Sequence, residues 1–292
     1  MKYQLTHTTS YDYGDSVSVS HHVARVTPRS LPLQDCHSHQ IEISPLASLL
    51  QAHVDHFGNR FHFFSLQTPH TAFTLTAKSI VEVHPREIPD RGSSPLWGEV
   101  KLGFLEENWS DETSVLEFIY PSPLVPRSLE MAAYASESFH DDSPFLECLL
   151  ALTARIHADF AYDPRATTVA TPLTEVWKTR RGVCQDFAHL QLACLRSLGI
   201  PARYVSGYVE TVPPPGVERL TGSDASHAWL SVFCPTRGWV DLDPTNNLIP
   251  STRHIVTAWG RDFSDVSPLR GVILGGSVQV LKVSVDVAPL SE

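Results

Sequence analysis

The sequence predicts an α+β protein in which an N-terminal antiparallel β-sandwich precedes a core of helices packed on an antiparallel sheet. Three observations predict it. Short runs with period-two alternation fill residues 1 to about 85 without a helical pattern between them, and strands in succession favour antiparallel pairing. From residue 127 the apolar period becomes that of helices, and after residue 201 the alternation returns.

The N-terminal strands are read in YQLTHTTSYDY, SVSVSHHVARVTPR, HQIEISP, AHVDHFGNRFHFFSL and FTLTAKSIVEVHP, separated by Pro, Gly, Asp and Asn. Phe57-Gly58-Asn59-Arg60 has the composition of a turn, linking a strand that ends near Asp55 to one that starts at Phe61. Residues 86–126 read as a Pro-rich connector whose interior, LGFLEENWSDETSVLEFIY, has no clear period. Helices are expected over Arg127–Phe139, over Ser143–Phe160 with Phe145, Leu149, Leu152 and Ile156 on one face, and over Pro172–Trp177. A further helix opens at Cys184, buries Phe187, Leu190, Cys194, Leu195 and Leu198, and stops at Gly199-Ile200-Pro201. Three strands follow in ARYVSGYVE, HAWLSVFC and GWVDLDP, the first two joined by a long loop over residues 211–226. The tail GVILGGSVQVLKVSVDV alternates and should end in an edge strand. The domains expected are therefore 1–85, a connector 86–126, and a catalytic core 127–292 that includes the C-terminal strands.

Composition narrows the function. The chain has 292 residues with 42% hydrophobic, enough for a sizeable core in one large or two ordinary domains. A formal charge of −10 excludes nucleic acid as a partner, because no Lys/Arg cluster could neutralise phosphates. MKYQLTHTTSYDY lacks the apolar run of a signal peptide, and no stretch is long and apolar enough for a bilayer. A cytoplasmic protein with no membrane partner is expected. The five cysteines (36, 148, 184, 194, 234) are odd in number, widely spaced and without a CxxC pair, which fits reduced thiols and neither a disulfide framework nor a structural zinc site. His21-His22 and His37-x-His39 lack a Cys or carboxylate partner set and read as strand-face histidines. No metal and no other cofactor is expected.

Cys184, His227 and Asp243 carry the chemistry. A thiol, an imidazole and a carboxylate in separate elements are the parts of a nucleophilic triad, in which the thiol attacks, the imidazole moves the proton and the carboxylate orients it. The spacing suits a helix-to-sheet crossover followed by a hairpin around Pro235-Thr236-Arg237-Gly238, which would bring Asp243 beside His227. Cys184 in the first helical turn would sit among unpaired N–H groups at the positive end of the helix dipole. Its backbone N–H is placed to donate to an oxyanion, and the adjacent Gln185 amide is a second candidate donor. Each residue also has a plainer reading: a small core hydrophobe for a helical cysteine, as for Cys194, a satisfied polar group for the histidine, and a turn former for an Asp before Pro-Thr. Asp241 competes as the carboxylate, on the same strand face as Asp243. His189 competes weakly as the base, one and a half turns from Cys184. Trp229 and Trp239 are expected to shield the His–Asp pair. The 211–226 loop suits either a substrate lid or a plain connector.

The blocks GVCQDFAHLQLACLRSLGIPARYVSGYV, SHAWLSVFCPTRGWVDLDPTNN and GRDFSDVSPLRGV resemble the bacterial transglutaminase-like superfamily, a papain-like group of candidate cysteine peptidases. HTTSYDY, RVTPR and DHFGNR resemble the β-rich N-terminal domain that precedes the core in one bacterial branch. The resemblance implies a papain-like transglutaminase core, with Cys184 of the GVC block as nucleophile, His227 of HAW as base and Asp243 before Pro-Thr as the orienting acid. It also implies hydrolysis of a peptide or amide bond through a thioester, with glutamine transamidation or deamidation, amidase action on a non-protein amide, and a catalytically silent binding module as alternatives. No residue matches the upstream Trp that animal transglutaminases use at the oxyanion, and no D-x-[DN]-x-[DN]-G calcium loop is present. Peptide or protein substrates are the expected partners, self-association into a homo-oligomer is left open, and the N-terminal domain is expected to present substrate, wall the cleft or mediate dimerisation.

Overall fold

A computed structural model of the chain describes residues 1–86, 90–105, 113–211 and 225–290. In chain order the elements are β1 (Lys2–Ala24), β2 (Gln34–Ser44), β3 (Leu49–Val54), β4 (Arg60–Leu66), β5 (His70–Val83), α1 (Trp97–Leu105), α2 (Thr113–Leu116), α3 (Leu129–Ser136) and α4 (Phe145–Asp159). There follow β6 (Ala161–Tyr162), α5 (Leu173–Thr179), β7 (Arg181–Gly182), α6 (Cys184–Ser197), β8 (Ala202–Val209), β9 (Ala225–Cys234), β10 (Gly238–Leu242) and β11 (His254–Gly260). The chain closes with α7 (Phe263–Val266), β12 (Leu269–Gly275) and β13 (Gln279–Pro289). No helix among the described residues is long and apolar enough to cross a membrane.

The N-terminal sandwich is one seven-stranded sheet folded on itself. Along one side of β1 run β4 and β5 end to end, and along the other side run β12 and β13 end to end, all antiparallel to it. The register of β1 shifts between Asp12 and Val17, at the level where β4 passes to β5 and β12 to β13. Gly275 permits that passage. Its φ is +97°, and a Cβ there would lie 2.7 Å from the Ser16 carbonyl oxygen. Folding over brings Phe64 of β4 within 6.1 Å of Phe73 of β5, ring centre to ring centre, with His22 against both. Period-two alternation makes this possible: Tyr3, Leu5, His7 and Thr9 are buried, while the residues between them are not.

The C-terminal strands correct the expected division at residue 127. They pair with β1 and complete the N-terminal sheet, not the sheet of the helical core. The alternation of SVQVLKVSVDV announces a strand but carries nothing about its partner, which lies at the other end of the sequence. The Pro-rich connector is likewise part of the core: Trp97, Val100, Phe104, Val115 and Phe118 are buried in its main cluster, and Trp97 stacks on Phe145 at 5.7 Å.

The core sheet has the order β10-β9-β8-β11 and is antiparallel throughout. On one face, Leu190, Ala193 and Cys194 of α6 pack with Tyr204, Ala228, Leu230 and Val232, joined by α3, α4 and α5. On the other face, the N-terminal domain is clamped to the open edge of β11 by side-chain amides. Gln34 donates from Nε2 to the Val256 carbonyl and accepts at Oε1 from the Val256 N–H, both at 2.8 Å. Asn59 does the same to Trp259, at 2.8 and 2.9 Å. Each amide stands in for the next strand, satisfying edge groups that burial would otherwise leave unpaired. The DHFGNR stretch supplies Asn59 of this clamp and RVTPR braces it: Arg29 stacks on Trp259 at 3.5 Å and donates to Asn59 Oδ1, and Asp55 accepts from Asn59 and from Arg25.

Candidate active site

Cys184 is the first residue of α6 and is half-buried. The first bond of the helix runs from Phe187 N–H to the Val183 carbonyl at 3.1 Å, so the amides of Cys184 and Gln185 have no intrahelical acceptor. The start is built by Asp186, whose Oδ2 accepts from the Val183 N–H at 2.8 Å and from Thr167 Oγ1 at 2.6 Å. Burial raises the Asp186 pKa against the pull of these bonds. Gly182 is required beside it, because a Cβ there would meet Asp186 Oδ2 at 2.7 Å. The parallel bridge β6–β7 ties this lead-in to the end of α4.

His227 is the third residue of β9, and Asp243 follows β10 directly, so the hairpin brings them together. His227 Nε2 lies 2.7 Å from Asp243 Oδ2, both side chains buried. Burial alone would lower the His227 pKa, but hydrogen bonds with Asp243 and Cys184, and their charges, raise it to about 10. Burial would raise the Asp243 pKa, but its hydrogen bonds with His227 and His254 hold the carboxyl far below the usual range.

Asp243 is the hub. Its Oδ1 accepts from the backbone N–H groups of Thr245 and Asn246, and its Oδ2 from Asn246 Nδ2 at 2.7 Å and His254 Nε2 at 3.1 Å. Trp229 packs beneath, stacked on His227 at 6.0 Å and edge-on to His254 at 5.3 Å. Sequence reasoning missed Asn246 and His254. Asn246 could have been found, since an Asp in a turn gathers the amides two and three residues on. His254 starts another strand, and no local signal marks it. His227, Asp243 and His254 bring ligand-type atoms within 4.8 Å of one another. Separations of 2.7 and 3.1 Å are shorter than the roughly 3.3 Å between two ligands of a tetrahedral ion with bonds of about 2.0–2.1 Å. The spacing is that of direct hydrogen bonds.

The competing residues lie elsewhere. Asp241 binds Ser231 Oγ at 2.6 Å and Arg86 at 2.7 Å. His189 is buried, lowered to about 4 by burial, and accepts from the Phe263 N–H at 3.1 Å, pinning α7 to α6. Cys194 is a core residue whose thiol burial pushes up to about 12. Trp239 does not shield the His–Asp pair as expected. The register puts it opposite Phe233 at the far end of the hairpin, where it packs on Phe118 and Arg203.

Cys184 and His227 line a cleft of 280 Å³. Gln185 lines it too, and also borders a neighbouring pocket of 300 Å³. The opposite wall comes from the N-terminal sheet, through His7, Thr9 and Tyr11 of β1 and Leu281 and Val283 of β13. His7 is neutral there: burial lowers it to about 4, and its nitrogens are bonded to Thr9 Oγ1 and the Tyr208 hydroxyl. Of the loop expected beside His227, residues 212–224 lie outside the described residues.

Comparison with known proteins agrees with this architecture. Residues 3–82 match the bacterial transglutaminase-like N-terminal region and residues 132–244 the transglutaminase-like superfamily. An uncharacterized protein of Mycobacterium tuberculosis, Rv2569c, is 40% identical over 296 residues, covering 99% of this chain and 93% of its own length. A protein-glutamine gamma-glutamyltransferase of Pseudomonas aeruginosa is 34% identical over 108 residues, which cover 34% of this chain and 16% of that protein. Among solved structures, a candidate cysteine protease from Cytophaga hutchinsonii superposes with a TM-score of 0.77 over 100% of this chain and 92% of that one, at 20% identity, and so shares the fold.

Proposed function

The chain belongs to the transglutaminase-like superfamily, and from that premise we propose that it is a thiol-dependent acyl-transfer enzyme acting as a cysteine peptidase, with Cys184, His227 and Asp243 as its triad. The observation that carries the reading is the His227 imidazole. It is held by Asp243 at 2.7 Å and lines one cleft with the thiol that opens α6.

In this reading the thiol proton already rests on His227, whose pKa is raised to about 10, and the Cys184 sulfur attacks as a thiolate the carbonyl carbon of a peptide or related amide. The backbone N–H of Cys184, with the Gln185 amide as second candidate, stabilises the oxyanion, a contribution of about 3 kcal/mol per donor. His227 then gives its proton to the leaving amine as the C–N bond breaks and a thioester remains. Water attacks the thioester with His227 as base, releasing the acid and restoring the thiol. An amine in place of water would give transamidation, a second reading favoured by the stretch similar to the Pseudomonas enzyme.

A thiol-directed activity probe tests the proposal. Wild type should label and Cys184→Ala should not; equal labelling, or none in either, sinks the enzyme reading. New N-termini on a peptide library mark a peptidase, whereas amine incorporation into a glutaminyl peptide marks the transamidase.

A further inference from the structure

The cleft of Cys184 and His227 is walled by the N-terminal sheet, and that wall is built from cross-strand pairs. Thr9 of β1 stands opposite Val283 of β13, and Tyr11 opposite Leu281. Period-two alternation sets these four on one face. It turns the charge between them, Lys282, to the other face, where its ammonium meets Asp12 at 3.2 Å.

The polar groups of the wall bond to one another. Thr9 Oγ1 lies 2.8 Å from His7 Nε2, and the Tyr208 hydroxyl lies 2.9 Å from His7 Nδ1. Burial keeps the His7 ring neutral at neutral pH. What the wall offers the cleft is therefore mostly carbon. Leu281 and Val283 are 52% and 51% exposed. Tyr11 is half-buried and stacks on Phe73 at 5.3 Å, and half-buried Phe263 and Leu269 extend the apolar lining. Such a surface beside a nucleophile gains when an apolar group covers it.

Among the described residues, none that lines the cleft is Asp, Glu, Lys or Arg. A charged side chain entering along this wall would leave water without meeting an opposite charge there. The volume of 280 Å³ falls just below the roughly 300–1,000 Å³ of sites for whole drug-sized ligands, and suits a single residue. In acyl transfer the acyl segment stays on the sulfur after the amine has left. The acyl residue is thus the longest-held occupant of the cleft.

We propose that the β1–β13 wall is the specificity surface of the site and takes a large apolar side chain, leucine or phenylalanine in kind, on the acyl side of the scissile bond. The proposal rests on Cys184 being the nucleophile. It gives the N-terminal domain the task of selecting substrate for a thiol that the core supplies.

N-acetyl aminoacyl chloromethyl ketones that differ only in side chain test this, beside iodoacetamide, which has no side chain and reports on the thiol itself. In each ketone the sulfur displaces chloride and a thioether forms, read on the Cys184 peptide by mass spectrometry. On wild type the leucine and phenylalanine reagents should label roughly tenfold faster than the alanine reagent, and roughly a hundredfold faster than the aspartate and lysine reagents. Leu281→Glu should invert the series. The leucine reagent should slow, and the lysine reagent should label faster than it does on wild type, a gain that loss of the fold cannot produce. Rates within about twofold of one another across the series, or a lysine reagent no faster on Leu281→Glu, would overturn the proposal. Labelling by iodoacetamide in the same samples would leave the thiol reading standing. Failure of iodoacetamide to label Cys184 would remove the thiol reading and the proposal together.

Discussion

Buried histidine is put to opposite use in the two sheets. In the N-terminal sheet, burial lowers His7, His22 and His39 to about 4, helped for His22 by His70 and for His39 by His62, so all three are neutral packing groups at neutral pH. In the core sheet, His227 is as deeply enclosed, yet Asp243 and Cys184 raise it to about 10. Burial has the same sign in both regions, and the difference lies in the neighbours. Hydroxyls and aromatic rings surround the first group, a carboxylate and a thiol the second. Desolvation makes a histidine inert unless a charge of opposite sign is enclosed with it, and then the same desolvation strengthens the pair. His189, in the core, is also lowered to about 4: burial dominates, and the upward pull of Asp262 is opposed by Arg196, so a nearby carboxylate that makes no hydrogen bond to the ring is not enough.

The largest break between the regions should come from Cys184→Ala. It should cost acyl transfer on the order of 10⁴–10⁶-fold while moving stability by less than about 1 kcal/mol, read by turnover and denaturant unfolding together. Asp243→Asn should follow, with kcat down on the order of 10³–10⁴-fold and KM little changed. Asn59→Ala acts from the other region. It leaves the Trp259 N–H and carbonyl unpaired and should lower unfolding free energy by about 2–4 kcal/mol in a urea titration. Full stability in that variant would mean that the amide clamp on β11 is incidental. His254→Asn removes one donor from Asp243 and should reduce kcat roughly tenfold, with a displaced pH profile that a purely structural change would not produce.

The smallest effects, in pH, separate the regions most cleanly. His227 has a folded-state pKa above the ordinary 6.5, so its contribution to stability is complete below that value and is lost as pH rises toward about 10. His7 has a depressed one, so it costs nothing above 6.5, and its penalty grows as pH falls toward about 4. Histidine NMR titrations should therefore show the His7 ring neutral down to about 4 and the His227 ring protonated up to about 10. Coincident midpoints near 6.5 would remove the contrast.

The candidate triad was legible because each member sits in a local pattern: a helix start after Gly-Val, a strand start and an Asp-Pro turn. The strands of the N-terminal domain were legible for the same reason. What escaped was every feature that depends on a remote partner. Asn59 reads only as a turn residue and no local pattern marks Gln34, because the strand edge they satisfy lies 200 and 222 residues away. His254 reads as any strand-opening histidine until Asp243 folds beside it. Trp239 was misplaced because the reading supplied a hairpin without the register that sends its far end away from the His–Asp pair.

β1 and β13 stand far apart in the sequence and lie side by side, with the Leu290 N–H on the Lys2 carbonyl at 2.8 Å. A nascent chain leaving the ribosome must therefore hold β1 with one flank open until β12 and β13 emerge. By then Cys184, His227 and Asp243 have all been synthesised, but the wall formed by Leu281 and Val283 has not. The candidate triad is thus synthesised before the cleft it lines is complete. A chain truncated ahead of β13 would carry the candidate triad in an unfinished enclosure and leave a strand edge free for aggregation.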